Sequence, residues 1–259
     1  MPLVRWEVRE PGIGYVTLDS PSTRNALGDE LLDQLLDVLE CARTDDSVRV
    51  VVLGSSHDRV FSAGGDLKAF AGEVSPVQRH TGLDRFPRLF ALLGELGKPV
   101  VCAAGGDVLA GAFGLALACD LVVARRGVRF GCPEINVGVF PFMISALIDR
   151  TIGRLKANEL MMLGELIDAD EALRLGLVNI VVDAEDFDAT VLAWARRLAA
   201  KSPLLMRMGK DALAATRDLP RRDALDTLRG RLALALTTED IVEGVNAFRD
   251  KRAPNWSMR

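Results

Sequence analysis

Three short segments of this 259-residue chain carry residue types that could do chemistry together. Phe61-Ser62-Ala63-Gly64-Gly65-Asp66-Leu67-Lys68 places two glycines in a turn shortly after an apolar run. Gly105-Gly106-Asp107-Val108-Leu109-Ala110-Gly111-Ala112-Phe113-Gly114 does the same after a second run. Small residues let a ligand approach the backbone closely. A helix that starts at such a turn leaves its first N–H groups unpaired and pointing outward. Two of these converging on one oxygen form an oxyanion hole. The third segment, Phe130-Gly131-Cys132-Pro133-Glu134-Ile135-Asn136-Val137-Gly138, sets one carboxyl among Ile135, Val137, Val139, Phe140 and Phe142. Desolvation would raise the Glu134 pKa and suit it to proton transfer near neutral pH. Taken singly, each turn also reads as a ligand-free strand-to-helix connection, and Glu134 as a capping or ion-paired residue.

Other chemistries lack their residues. Gly106 and Gly111 have the spacing of a phosphate loop, but Ala112-Phe113 stands where Lys-Ser/Thr is needed. There is no GxGxxG after a strand, no GxSxG elbow and no HExxH. Two histidines, His57 and His80, cannot build a His-rich site, so no metal is expected. Cysteines at 41, 102, 119 and 132 form no CxxC and read as free thiols of a reducing compartment.

The elements that must position these segments are legible from periodicity. Val4–Val8 and Tyr15–Leu18 read as strands joined by the turn Pro11-Gly12. Leu31, Leu32, Leu35, Leu36 and Leu39 stand at helical spacing. Arg49–Leu53, Pro99–Ala104 and Leu121–Ala124 are near-continuous apolar runs, the pattern of strands covered on both faces. Val178–Val182 is a further short strand. Strands alternating with helices give an α/β body. Beyond about Ala184 the chain turns helical: Phe187, Val191, Ala195 and Leu198 repeat at helical spacing, then Leu205, Met208 and Ala212, then Leu225, Leu228 and Leu232. Thr237-Thr238-Glu239-Asp240 caps a last helix.

Composition bounds the remaining classes. A net charge of −4 with 49% hydrophobic residues describes a soluble globular chain, neither disordered nor a general nucleic-acid binder. Residues 196–231 hold ten Lys/Arg against four Asp, yet no Phe, Trp or Tyr to stack bases. Solvated helix faces account for them, and nucleic acid is not an expected partner. Pro99–Cys119 is apolar but carries Asp107 and four glycines, so it reads as core rather than as a membrane span. Met1–Val8 has no apolar leader. A cytoplasmic location is expected.

Together the segments resemble the crotonase (enoyl-CoA hydratase/isomerase) superfamily over nearly the whole chain. The pattern runs through Pro21-Ser22-Thr23-Arg24-Asn25-Ala26-Leu27, FSAGGDLK at 61–68, Ala118-Cys119-Asp120-Leu121, FGCPEINVG at 130–138, Leu173-Arg174-Leu175-Gly176-Leu177-Val178 and Phe248-Arg249-Asp250-Lys251-Arg252-Ala253-Pro254. The resemblance implies an α/β spiral of ββα units over residues 1–185. A C-terminal helical trimerisation region would follow over 186–259, assembling as a homotrimer or a dimer of trimers. It implies an acyl-CoA thioester substrate, with CoA arriving as part of the substrate and no separate cofactor. It places the thioester oxygen between the N–H groups of Gly65 and Gly111, with Glu134 as acid/base. Arg24 and Lys68 fall near the nucleotide end of CoA, and Ala63, Gly64, Asp66 and Leu67 along the wall that bends it. Ala26 and Pro133 are assigned to the same substrate contacts.

One departure stands out. Hydratases of this family carry a second glutamate three residues after the second oxyanion glycine, and here that position is Gly114. Asp107 precedes the turn and reads as a turn residue. The resemblance implies a hydratase or a double-bond isomerase: hydration would fall to Glu134 alone or with other polar help, whereas double-bond migration needs only one carboxylate shuttling a proton between C2 and C4. Decarboxylation of a carboxyacyl-CoA through the same enolate, or a weakly catalytic CoA-binding, RNA-associated role, are the alternatives.

Overall fold

In the computed structural model, residues 2–66, 75, 77 and 82–259 are described. The chain winds between two sheets. A six-stranded sheet has the order β1-β2-β3-β5-β7-β10 and a four-stranded sheet the order β4-β6-β8-β9. β1 (Val4–Glu10) and β2 (Gly12–Leu18) form the antiparallel hairpin expected around Pro11-Gly12. β3 (Val48–Ser55), β5 (Val100–Ala104), β7 (Leu121–Arg125) and β10 (Ile180–Val182) then pair in parallel. Each of the first three is followed by a short strand in the other sheet: β4 (Val60–Ser62), β6 (Asp107–Leu109) and β8 (Arg129–Gly131). These three are mutually parallel, and β9 (Leu166–Asp168) closes the edge antiparallel to β8. Large-sheet strand, small-sheet strand and helix thus repeat as a spiral.

The apolar runs explain why the large sheet sits inside. Val48, Val51 and Leu53 of β3 face the main core, whereas Val50 and Val52 face a second cluster with Val101, Val123, Val191 and Ala195. A β-branched strand buried on both faces needs cover on both. One cover is α1 (Asp29–Thr44), which inserts Leu31, Leu32, Leu35, Leu36 and Leu39. Each fully buried leucine contributes about 2 kcal/mol relative to exposure. The second cover is α7 (Phe187–Ala199), the first helix of the C-terminal region.

The other helices are α2 (Arg85–Gly94), α3 (Gly111–Ala118), α4 (Phe142–Ile152), α5 (Arg154–Leu163), α6 (Ala169–Arg174), α8 (Pro203–Thr216), α9 (Arg221–Ala235) and α10 (Glu239–Arg249). Thr238 caps α10, its hydroxyl accepting from the Ile241 N–H, as the Thr-Thr-Glu-Asp signal implied. Two buried lysines pin α8 to the body. Lys210 Nζ donates to Asp120 Oδ2 at 2.6 Å and to the Lys98 carbonyl at 3.0 Å. Lys98 Nζ in turn donates to the Ala42 and Asp45 carbonyls, and burial holds its pKa below the usual lysine range. Several charges of the basic 196–231 segment are paired within the chain: Arg196 with Glu10, Lys210 with Asp120, Arg229 with Asp226. Helix α9 buries none of its residues, and Leu225, Leu232, Val242, Val245 and Phe248 on α9 and α10 are exposed. Among the described residues, no helix is long and apolar enough to cross a membrane. The four cysteines are free thiols; Cys102 and Cys132 are buried, whereas Cys41 is exposed.

Candidate active site

β4, β6 and β8 stand side by side and parallel, so their C-terminal ends lie along one edge of the small sheet. The chain leaves β4 into Ala63–Asp66, β6 into Ala110–Gly111, and β8 into Cys132–Glu134. All three segments singled out by residue type are therefore brought together. Loops at the carboxyl ends of neighbouring parallel strands are a usual place for an α/β site.

The two glycine turns are in contact. Gly64 has φ +86°, and a side chain there would overlap Ala110 Cβ and stand 2.7 Å from the Leu109 carbonyl oxygen and 3.0 Å from the Gly111 nitrogen. Ala110 itself has φ +53°, a strained conformation for a residue with a Cβ. It is held there by its N–H donating to the Gly131 carbonyl at 2.8 Å. This twist turns Gly111, the first residue of α3, towards Gly65. Among the described residues, neither the Gly65 nor the Gly111 N–H has a hydrogen-bond partner. The helix dipole adds partial positive charge at the Gly111 end. An oxygen seated between these two donors would be stabilised as it gained negative charge.

A buried polar knot behind the first turn fixes its position. The Asn25 side chain accepts from the Ser20 N–H at 2.7 Å and donates to Ser55 Oγ and to the Phe61 carbonyl. Ser62 Oγ donates to the Asn25 carbonyl at 2.7 Å and accepts from the Gly64 N–H. The Ala63 N–H donates to the Arg24 carbonyl. Asn25 lies inside the segment Pro21–Leu27, so its motif was readable; its role as a tie emerges from contacts.

Glu134 follows Pro133 in a 3-10 turn ended by Gly138 at φ +84°. Its carboxyl reaches into an apolar cavity of about 580 Å³. Ala63, Gly65, Phe86, Gly111, Pro133 and Ile144 are among the lining residues, and of all the described ones Glu134 is the sole titratable side chain. Glu134 Oε2 is buried and, among the described residues, has no hydrogen-bond partner. Burial pushes its pKa up to about 6. The backbone N–H of Glu134 itself works against this shift, but burial prevails, and a carboxyl so placed is a competent base at neutral pH.

Of the other expected contacts, Ala63 and Pro133 line the cavity and Gly64 lies beneath it. Arg24 is exposed in the left-handed region at φ 55°, beside Ala26; neither lines the cavity, and Asp66 lies against Gly28. Leu67 and Lys68 lie outside the described residues, whereas Leu83 is a lining residue. Phe86 of α2 and Ile144 of α4 carried no sequence signal, because their part is contact rather than motif. Asp107 is a structural residue: its carboxylate accepts from the Arg129 backbone N–H and guanidinium. Gly114 is packed shut. A Cβ there would overlap Ile144 Cγ2 and stand 3.0 Å from Phe90 Cζ.

The α/β spiral brings two glycine turns and a buried carboxyl to one sheet edge, and comparison with known proteins gives the family. The chain belongs to the enoyl-CoA hydratase/isomerase family, whose model matches residues 8–259. It is 36% identical over 253 residues to the 2,3-dehydroadipyl-CoA hydratase of Escherichia coli K12, covering 97% of each chain. It is 30% identical over 249 residues to the crotonyl-CoA hydratase of Syntrophomonas wolfei, covering 96% of this chain and 95% of that one. The crystal structure of an enoyl-CoA hydratase from Mycobacterium smegmatis superposes with a TM-score of 0.94 at 32% identity, covering 99% of both chains.

Proposed function

We propose that this enzyme moves the double bond of an enoyl-CoA thioester, with Glu134 as its single acid/base and the Gly65 and Gly111 N–H groups as its oxyanion hole. The observation that carries the reading is the buried Glu134 carboxyl, whose Oε2 has no hydrogen-bond partner among the described residues, lining one cavity with Gly65 and Gly111. The thioester oxygen of a 3-enoyl-CoA sits between the donors. Glu134 takes a proton from C2, and the C2–H pair enters a dienolate whose charge rests on that oxygen. Glu134 returns the proton to C4 as the C3=C4 bond becomes C2=C3. No atom is gained or lost.

The apolar lining suits an unsubstituted acyl chain. A substrate carboxylate would lie beside Glu134 with no cation among the described lining residues, which disfavours decarboxylation. Arg24, Ala26, Asp66, Leu67 and Lys68 are assigned to the CoA moiety by the family pattern. The same pattern assigns the exposed apolar residues of α9 and α10 to contacts between subunits of a trimer.

The test is a panel of 2-enoyl-, 3-enoyl- and carboxyacyl-CoA thioesters with product masses read. Unchanged mass with a displaced double bond is expected. Gain of water as the main reaction, or loss of CO2, would overturn the proposal.

A further inference from the structure

We infer that Ile144 decides between double-bond migration and hydration in this enzyme; the inference rests on the single-carboxylate reading above. Hydration of a 2-enoyl thioester forms a C3–O bond, breaks a water O–H bond and delivers a proton to C2. It passes through an enolate that the same two N–H groups would hold. Beyond migration it needs a seated water and a group to exchange protons with it. A buried water needs about two to four polar partners. Ile144 removes the place for both.

Its side chain is 2% exposed, projects from the first turn of α4 and lines the acyl cavity. It lies directly against Gly114 of α3, so that a side chain at 114 would overlap Ile144 Cγ2 and come within 3.0 Å of Ile144 Cβ. Phe90 of α2 closes the other side, its Cζ also at 3.0 Å. Gly114 is therefore more than a missing acid. The volume beside it is filled by carbon, and α3 and α4 interlock there. Among the described lining residues, Glu134 alone could anchor a water by its side chain. An apolar gap left by trimming Ile144 would stay dry without a polar group to hold water. Changing the reaction thus requires replacing Ile144 and supplying a polar group that holds a water there, most effectively a carboxyl at 114.

The experiment compares wild type, Gly114→Glu/Ile144→Ala and Ile144→Ser. Each is incubated with a 2-enoyl-CoA and a 3-enoyl-CoA in 18O-water, with products read by mass and folding checked by thermal melting and acyl-CoA binding. The double variant is expected to form the labelled 3-hydroxyacyl-CoA about 100-fold faster than wild type, the usual scale of one acid/base group. If the double variant does not fold, Ile144→Ser decides, because its smaller polar side chain seats a water opposite Glu134; adduct above the wild-type level is expected. A folded, ligand-binding double variant that forms no more adduct than wild type would overturn the inference, as would a silent Ile144→Ser where that variant decides. A wild type that fails to move the double bond of the 3-enoyl thioester would instead contradict the underlying reading, so the two failures are distinct.

Discussion

Gly111 faces Gly65 so closely that a methyl group added to Gly111 would stand 3.6 Å from the Gly65 nitrogen and 3.0 Å from Phe86 Cε1. That methyl would occupy the space an oxyanion needs between the two donors. Gly111 is a helix N-terminal residue without a positive φ, so alanine is compatible with its backbone. Gly111→Ala should fold and still lose about 100- to 1000-fold in kcat. Steady-state kinetics beside a thermal melt check both parts; a folded variant with near wild-type kcat would remove Gly111 from the oxyanion hole.

The buried Glu134 carboxyl gives the activity a pH signature. Its pKa is pushed up to about 6, and the base form does the work. On the 3-enoyl substrate, kcat/KM should therefore rise with pH and level off above an inflection near 6. Glu134→Gln should lose at least about 100-fold in turnover while still binding acyl-CoA. An inflection near the ordinary glutamate value, or activity retained by the variant, would show that another group moves the proton.

The same shift has a cost in stability. A carboxyl whose pKa is raised by folding binds its proton more tightly in the folded state. Its contribution is fully present below about pH 4.5 and is lost as pH rises through about 6. After allowance for the part of the group that water reaches, the loss amounts to about 1 kcal/mol. Chemical unfolding at pH 4 and pH 8 should show wild type losing this much relative to Glu134→Gln across the interval. A constant difference would mean that the carboxyl is not desolvated.

Gly64 is a stability position behind the site, packed against Ala110. Its φ of +86° is strained for any residue with a Cβ, and that Cβ would overlap Ala110. Gly64→Ala should cost at least about 2 kcal/mol, combining backbone strain with overpacking. It should also disturb the donor pair, because Ala110 sets the direction of Gly111. Equilibrium unfolding measures the first effect and kcat the second; an unchanged midpoint would contradict the close contact of the two turns.

The large sheet was legible in the sequence because its strands are buried on both faces. Runs such as Arg49–Leu53 have no other economical reading. The helices after residue 187 were legible from 3.6-residue spacing, although nothing in that spacing set α7 apart as the cover of the sheet's second face. The small sheet was not legible. Val60–Ser62, Asp107–Leu109 and Arg129–Gly131 are three residues long, too short to express a period, and they are defined by pairing across distant segments. Yet their ends bring the site together. Residue type singled out the two glycine turns and the apolar-flanked Glu134, because these are local features; the parts given to Gly65, Gly111 and Glu134 came from the family resemblance. Phe86, Phe90 and Ile144 shape the cavity through tertiary contact, and a sequence cannot mark a contact between unpatterned apolar residues. Gly114 falls between these cases. The missing carboxyl was evident from the family pattern, but the side chain filling its place emerged only once α4 was seen lying against α3.

The most direct test of a single carboxylate carrying one proton between two carbons is to follow that proton. A 3-enoyl-CoA deuterated at C2 is converted in ordinary water, and the product is examined by NMR and mass spectrometry. The account predicts a conjugated 2-enoyl product of unchanged carbon and oxygen content, with a measurable fraction of the deuterium now on C4. Deuterium washed out completely, with water gained as the main product, would contradict it.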